Sequence, residues 1–460
     1  METVLLYVVG IIVVLIGVAL SIGLHEIGHL VPAKLFGVRV GQYMIGFGPT
    51  LFSRRKGETE YGVKAIPLGG YISMAGMYPP AKKGGPSRTS GTDAFAAESE
   101  YESGGRSAST GFFQTMIQDA RTASEDTIQE GAEDRVFYKL PIWKRIIIML
   151  GGPFMNLVIA VVLLAVVLSG IGLQGYGTTI TSVSACALPA TSSRQTCEPG
   201  DTPAPGASAG IKPGDTLVSI AGTRITGWDQ ATAIIQKSAN KTIPIVVLRG
   251  GKQVSLTATP IASKRYVVDA QGNVVTDASG TKLTRTVGFL GIGPGVTTIR
   301  QPLTAVLPAL GSNIGQDFHL IANLPQRLVQ VAQAAFGTQP RDPNGPVGVV
   351  GVGRLAGQIA STTGVPWAER FSFLLSLIAS LNVALFAFNL IPLLPLDGGH
   401  ILGAIWEGVR RFFARLFKRK DPGPVDIAKL VPLTFAVVIV LGAMSLLLVY
   451  ADIVKPITLQ

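Results

Sequence analysis

Charged side chains are scarce in this sequence. They make up 15% of its 460 residues, whereas 47% of the residues are hydrophobic and the mean hydropathy is +0.42. This balance excludes a single soluble globule and is typical of a chain that crosses a membrane several times and carries soluble modules. Four stretches are long and apolar enough for a membrane-spanning helix, which needs about 20 residues: 4–33, 146–169, 371–396 and 431–451.

Basic residues are absent before the first stretch, and after the fourth only Lys455 occurs. The first stretch also ends in HEIGH and has no cleavage site of small residues, so we predict a retained helix and not a secretory signal. Lys and Arg cluster after span one, before span two and between spans three and four. Because these residues stay cytoplasmic, both termini are expected outside, residues 34–145 and about 400–430 inside, and residues 170–370 outside. The net charge of +11 then reflects topology and anionic inner-leaflet lipid, with no nucleic-acid partner.

Cysteine occurs only twice, and both residues lie in the segment that is expected outside. A disulfide between Cys186 and Cys197 is permitted there. Two free thiols are the alternative, since spacing alone does not establish the geometry of a bridge.

The first apolar stretch does contain a metal-binding pattern. In a helix, His25 and His29 are one turn apart on one face and can share a metal ion, while Glu26 lies beside them and can take a proton from water. An HExxH string also arises by chance on soluble helices. Here chance is disfavoured, because two histidines and a carboxylate are costly among lipid-facing Leu, Ile and Val.

A third metal ligand is expected from another span, and the candidate is Asp397 in the segment NLIPLLPLDGGH, residues 389–400. Two prolines break the helix ahead of it, and irregular backbone at membrane depth is tolerated where it lines protein or a watery cavity. Asp397 and His25 both lie toward the predicted cytoplasmic ends of their spans. An ordinary turn with Asp397 as a helix cap is the alternative. His400 competes as the ligand, but it lies nearer the basic loop and we favour Asp397.

Two further segments lie between spans one and two. Residues 38–78 contain short strands punctuated by glycine and predict a membrane-associated β-hairpin or sheet. Its edge could hold an extended substrate, or the hairpin could only pack on the helix ends. Residues 79–138 are rich in Ser, Gly, Thr and acidic residues and predict a disordered cytoplasmic insertion. In span two, Asn156 could contact the substrate or the metal site, or it could join the spans.

The segment 178–295 carries the string AGIKPGDTLVSIAG, residues 209–222, between strand-like stretches and one amphipathic helix. It resembles a PDZ domain, whose groove accepts peptide ends or strands. An unrelated small β domain is the alternative. Residues 296–368 predict outer helices.

The chain as a whole resembles the site-2 protease family, specifically the bacterial PDZ-bearing intramembrane zinc metalloproteases that cleave membrane-bound anti-sigma factors. The matching motifs are HEIGH at 25–29, GFGP at 46–49, PLGGY at 67–71, GGPFMN at 151–156, the PDZ string, GPVGVVG at 345–351 and NxxPxxxLDG at 389–398. A single PDZ domain is similar to Gram-positive or actinobacterial members. The insertion at 79–134 has no counterpart that we can assign.

The resemblance implies one zinc ion per chain, bound by His25, His29 and Asp397, with Glu26 as the catalytic acid and base. It also implies substrate contacts by Asn389, Asn156, Gly69 and Gly70. It places the protein in the bacterial cytoplasmic membrane, where it would cut single-span proteins such as anti-sigma factors within or near their transmembrane segments. An upstream outer-side protease would first shorten the substrate, and the PDZ domain would exclude untrimmed ones.

The expected fold is a polytopic α-helical membrane protein with four transmembrane helices, a membrane-associated β-sheet after helix 1, and an extracytoplasmic PDZ domain of β-rich α+β type. The expected segments are transmembrane helices at 1–37, 139–172, 369–404 and 430–452, the hairpin at 38–78, the insertion at 79–138, the PDZ domain at 178–295, outer helices at 296–368 and a basic loop at 405–429. A non-catalytic PDZ scaffold or chaperone is the alternative function, but it has no need of Glu26. A metal transporter is disfavoured because no path of ligands crosses the other spans.

Overall fold

The structure is a computed structural model that describes the whole chain except residues 81–107, 129–130, 190–191, 193, 195, 269–273, 278–279 and 458–460. It contains two compact units: Met1–Ile171 with Gln301–Gln460, and Gly172–Arg300.

The helices and strands follow one another as α1 (Glu2–Leu35), β1 (Val40–Lys56), β2 (Thr59–Met74), α2 (Ala108–Glu125), α3 (Ile142–Ala165), β3 (Leu173–Val183), α4 (Pro205–Ser208), β4 (Thr216–Ile220), β5 (Thr223–Arg224), α5 (Trp228–Lys237), β6 (Ile243–Arg249), β7 (Lys252–Ala258), β8 (Ile261–Tyr266), β9 (Thr284–Phe289), β10 (Ile292–Ile299), α6 (Val306–Ala322), α7 (Leu324–Phe336), α8 (Val349–Ser361), α9 (Trp367–Asn389), α10 (Asp397–Leu416) and α11 (Val431–Val454). A π-helical segment, Val166–Ile171, continues α3, and a 3₁₀ turn, Ile427–Leu430, precedes α11.

Among the described residues of the first unit, four helices are long and apolar enough to cross a membrane. They are Glu2–Leu35, Ile142–Ile171, Trp367–Asn389 and Ile427–Val454. They agree with the four apolar stretches of the sequence, except that the third was expected to run to residue 396. The helix ends at Asn389 because a proline follows at 392, and proline disfavours helical backbone at the residue before it.

Helices α1 and α3 cross at a pair of glycines. A Cβ built on Gly28 would lie 2.1 Å from the carbonyl oxygen of Gly151, so the two backbones touch at this point. On another face of α1, Val14 packs with Leu374 and Ile378 of α9. The HEIGH turn of α1 therefore lies directly against α3, and α9 packs on α1 about three turns earlier.

Strands β1 and β2 form the sheet that was expected after the first helix. Both strands are bent, and residues 42–45 of β1 pair with residues 60–63 of β2 on one side and with residues 70–73 on the other. The segment 70–74 is consequently an edge of this sheet. The hydroxyl of Tyr43 donates a hydrogen bond of 2.7 Å to the carbonyl oxygen of Gly23, which ties the sheet to α1. Burial raises the pKa of Tyr43 to about 12, so this donor stays protonated.

Two predicted segments differ from the structure. Part of the expected disordered insertion, Ala108–Glu125, is the helix α2, whose Arg121 pairs with Asp426; residues 81–107 lie outside the described residues. The expected basic loop at 405–429 is largely helical, because α10 runs from Asp397 to Leu416. Both predictions rested on composition. Counts of serine, glycine and charged residues do not register the helical spacing of the apolar residues between them.

The second unit, Gly172–Arg300, is built on a sheet in the order β10-β3-β4-β6-β7, with β5 paired to β4 and a separate β8-β9 pair. Its core contains Ile180, Leu217, Ile220 and Ile245. The carboxylate of Asp215 is 1% exposed, lies 2.7 Å from Arg249 and accepts a hydrogen bond from the backbone N–H of Lys212. The Arg249 guanidinium therefore holds the pKa of Asp215 below its usual range. A disulfide joins Cys186 and Cys197 in this unit.

Candidate metal centre

Three potential ligands from two distant parts of the chain meet in the first unit. His25 Nε2 and His29 Nε2 are 3.2 Å apart, and Asp397 Oδ2 lies 3.5 Å from the former and 3.4 Å from the latter. Ligands at the corners of a tetrahedron about 2.1 Å from zinc are about 3.4 Å from one another. The three atoms therefore have the spacing of a metal site, and within the described part of the chain they form the one such cluster of three.

The carboxylate of Asp397 supports the same interpretation. Its Oδ2 is buried and accepts no hydrogen bond from the described residues, and a buried polar atom in this condition calls for a partner such as an ion. Burial alone would raise the pKa of Asp397, but the imidazoles of His25 and His29 outweigh burial and hold this pKa below its usual range. The group is thus an anion, which is the form in which a carboxylate binds a metal.

The tautomer of His29 is fixed by a backbone carbonyl of α3. His29 Nδ1 lies 2.7 Å from the oxygen of Ile148, and a carbonyl oxygen only accepts hydrogen bonds. Nδ1 therefore carries the proton, and Nε2 offers its lone pair toward His25 and Asp397.

Asn156 lies beside His25 Nδ1, as the Ile148 carbonyl lies beside His29 Nδ1. Its amide nitrogen lies 3.1 Å from His25 Nδ1, its side chain is fully buried, and its Oδ1 has no partner among the described residues. A metal on His25 Nε2 requires a proton on Nδ1, which in turn needs an acceptor. Turning the amide by half a rotation supplies that acceptor and gives the buried Oδ1 its hydrogen bond, because the two ends of an amide have nearly the same shape.

Gly152 faces the same space from α3. A Cβ built on it would lie 2.2 Å from His29 Nε2 and 2.7 Å from His25 Nε2. The first distance is close to a metal-to-nitrogen bond of about 2.0 to 2.1 Å, so a side chain at this position would intrude on the space between the ligand atoms. This glycine belongs to the GGPFMN motif, but nothing in its local sequence indicates a role at the metal centre.

Glu26 is buried in α1 next to the edge of the sheet. A Cβ on Gly70 would lie 3.1 Å from its Cγ, so the hairpin touches the glutamate at a residue without a side chain. Gly69 has a φ of +117°, a conformation that other residues rarely adopt. The structure thus brings Gly70 to Glu26, and Gly69 is its neighbour in β2.

Two other candidates lie outside the cluster. Asn389 is the half-buried last residue of α9. His400 lies in the first turn of α10, where burial lowers its pKa to about 4, and its ring centroid is 6.4 Å from that of Tyr78. It is neutral, but the three converging atoms do not include it.

Two polar contacts that position the centre were missed from the sequence. Asn382 of α9 donates a 2.9 Å hydrogen bond to Ser21 Oγ, one turn before His25. Arg145 of α3 and Glu407 of α10 are 4% and 1% exposed and form a 2.6 Å ion pair. That pair holds α10, and hence Asp397, against α3. The sequence did contain a signal for the first contact, since an asparagine such as Asn382 within an apolar span is seldom without a role.

The profile of Peptidase family M50 matches residues 13–420. The chain is 32% identical to "Zinc metalloprotease Rip1" of Mycobacterium tuberculosis, and the alignment covers 99% of this chain and 100% of the relative. It is 29% identical to the protein of that name from Mycolicibacterium smegmatis, with the same coverage. "Metalloprotease MmpA" of Caulobacter vibrioides is 29% identical over 88% of each chain. Together with the geometry of the centre, these matches show that the chain belongs to peptidase family M50, the site-2 protease family of metalloproteases.

Proposed function

We propose that this chain is a zinc endopeptidase that cleaves single-span membrane proteins within or near their transmembrane segments. The observation that carries the proposal is the tetrahedral spacing of His25, His29 and Asp397 at a helix apolar enough to span a membrane. Relatives named zinc metalloproteases support zinc as the metal. A bound zinc ion would polarise the scissile carbonyl and lower the pKa of water.

The residues around the ion have separate tasks in this proposal. His25, His29 and Asp397 bind one zinc, with Ile148 and Asn156 fixing the two imidazoles. Glu26 takes the proton from the attacking water and delivers it to the leaving amine.

The sheet edge is the proposed substrate holder. An amide inside a helix has its carbonyl hydrogen-bonded, so the substrate helix must unwind before it is cut. An unwound segment can pair as a strand with residues 70–74, and Gly70 would place it beside Glu26. Gly69 shapes this edge, and Asn389 would contact the same substrate from the end of α9.

The second unit is proposed to be a PDZ domain outside the cell that admits substrates by size. Its β-sheet, the helix α5 packed on its core and the AGIKPGDTLVSIAG string support this assignment. Anti-sigma factors already trimmed by an outer-side protease are the proposed substrates, and both termini would lie outside. A non-catalytic PDZ scaffold is the competing function.

The test uses full-length protein in lipid nanodiscs with a single-span substrate, supplied either intact or already trimmed on its outer side. We expect about one zinc per chain, cleavage of the trimmed substrate, loss of cleavage with a chelator and recovery with zinc. Deleting residues 178–292 should extend cleavage to the intact substrate. Zinc-free protein, or a zinc-loaded protein that binds but never cuts the substrate, would favour the scaffold.

A further inference from the structure

The surface of α10 that faces away from the protein is apolar along its whole length. Its large apolar side chains are between 37% and 64% exposed, and at 3.6 residues per turn they form one stripe: Leu402, Ile405, Trp406, Val409, Phe412, Phe413, Leu416 and, just beyond the helix end, Phe417. A stripe of this size on a helix surface marks an interaction site.

The opposite face of α10 fixes which way this stripe points. Gly403, Ala404 and Glu407 are buried against the rest of the unit. Glu407 accepts from Arg145 of α3 and from the backbone N–H of Val425. The helix therefore cannot roll to hide its apolar stripe without breaking a buried ion pair.

A basic cluster follows the stripe at the C-terminal end of α10. We define it as Arg415, Lys418, Arg419 and Lys420, all of which are exposed. In the part of the chain that the structure describes, no carboxylate pairs with these four residues, whereas the nearby Arg411 pairs with Glu407. The cluster is thus free to bind anions.

Membrane lipid is the occupant that fits both features. Residues 390–396 connect α10 to the span that ends at Asn389, and residues 417–426 connect it to the span that begins at Ile427. Both ends of α10 are therefore held near a membrane boundary. A helix there with a Trp- and Phe-rich apolar face and basic residues at its edge is suited to lie in the interface plane, and its charge is complementary to lipid phosphate.

We propose that α10 lies in the membrane interface, with its apolar stripe among acyl chains and its basic cluster on the headgroups of anionic lipid. Asp397 is the first residue of this helix. If the proposed function holds, anionic lipid should therefore support cleavage by keeping Asp397 in register with His25 and His29.

Lipid binding is tested on the full chain by counting retained phosphatidylglycerol and phosphatidylcholine molecules by native mass spectrometry. The test variant carries Lys418→Gln, Arg419→Gln and Lys420→Gln. The matched control carries Lys237→Gln, Lys241→Gln and Lys252→Gln, an equal loss of exposed charge in the second unit. We expect the test variant to bind phosphatidylglycerol about tenfold more weakly or worse, since each basic residue near a membrane surface contributes about a fivefold gain, and the control to stay within about twofold of wild type.

The environment of the stripe is tested in nanodiscs through the fluorescence of Trp406. Because the chain has four tryptophans, the emission of Trp406 is obtained by subtracting the spectrum of Trp406→Phe from that of wild type. Brominated acyl chains should quench this emission and aqueous iodide should not. Quenching by iodide alone would mean that the face lies in water. Protection from both quenchers would mean that a protein, such as a second copy, covers it. Either result, or equal lipid loss in the two charge variants, overturns the proposal. Cleavage rates in the two lipids are a separate readout, so an inactive preparation leaves the lipid result valid.

Discussion

Gly152 and His29 are so close that a single carbon atom added to the glycine would lie 2.2 Å from the imidazole Nε2. The position that a metal ion would take is thus kept open by the absence of a side chain on a neighbouring helix. The ligand atoms thus come from α1 and α10, and α3 contributes the residue that leaves space between them.

Gly152→Ala is expected to lose metal. The added methyl group would displace Nε2 of both histidines, so zinc affinity should fall by at least about 10- to 100-fold, the range seen when the support of a metal ligand is removed. Gly170→Ala, in the same span, is the matched control, because no atom of the described residues lies within 4 Å of a Cβ at that position. Zinc content measured by mass spectrometry checks the pair. Full zinc loading of Gly152→Ala would place the ion elsewhere.

Asn156→Leu and Asn156→Asp separate two roles for this amide. If Asn156 accepts a hydrogen bond from His25 Nδ1–H, aspartate can replace it and leucine cannot. Asn156→Leu should therefore weaken zinc binding about 10- to 100-fold, and Asn156→Asp should weaken it much less. Metal titration of the two variants measures the difference. Zinc affinity that is unchanged in Asn156→Leu, with cleavage lost, would instead assign the residue to the substrate.

Asp397→Ala and His400→Ala test the third ligand. Asp397 Oδ2 lies within 3.5 Å of both imidazole nitrogens, so its removal should strip most of the zinc, whereas His400→Ala should retain it. Zinc analysis of both purified variants is sufficient. Zinc that depends on His400 and not on Asp397 would reverse the assignment.

Asp215→Asn should destabilise the second unit by about 1 to 3 kcal/mol, because it removes a charged hydrogen-bond acceptor from a buried site. The pKa of Asp215 is lowered by Arg249 in the folded state. Its contribution is therefore fully present above the unfolded pKa of about 3.9 and is lost as pH falls through the lower folded value. Thermal unfolding followed through Trp228 between neutral and acidic pH measures this.

The exposed Asp229→Asn is the control for that experiment. It should unfold like wild type at every pH. If Asp215→Asn also unfolds like wild type at neutral pH, the ion pair contributes nothing to the unit.

The sequence was sufficient for the four apolar helices and for the three residues whose side chains meet, His25, His29 and Asp397. Apolar length identified four helices, and the i, i+4 spacing of His25 and His29 placed both on one face. It could not reveal Gly152 or the Ile148 carbonyl as parts of the site, because a glycine and a backbone oxygen acquire their roles only when α3 crosses α1. The pairing of residues 42–45 of β1 with two separate parts of β2 was also hidden. It depends on bends in both strands, which the alternation of apolar and polar residues does not encode.

The helix α10 was missed for a different reason. We predicted a loop at 405–429 from its basic residues, although Leu402, Trp406 and Phe413 recur at helical spacing. A buried glutamate at position 407 is interpretable only once Arg145 is seen beside it. Long-range pairing of charges is not encoded in local patterns.

The proposed peptidase activity depends on proton transfer by Glu26 at a metal that other residues hold, and Glu26→Gln in the full chain removes that step alone. Zinc content and cleavage of a single-span substrate are measured on the same preparation, with Glu2→Gln, an exposed glutamate of the same helix, as the control. The amide cannot take a proton, so we expect about one zinc per chain with cleavage reduced by about 10²- to 10⁴-fold, and wild-type behaviour for the control. Cleavage by zinc-loaded Glu26→Gln at a rate close to wild type would contradict this role of Glu26.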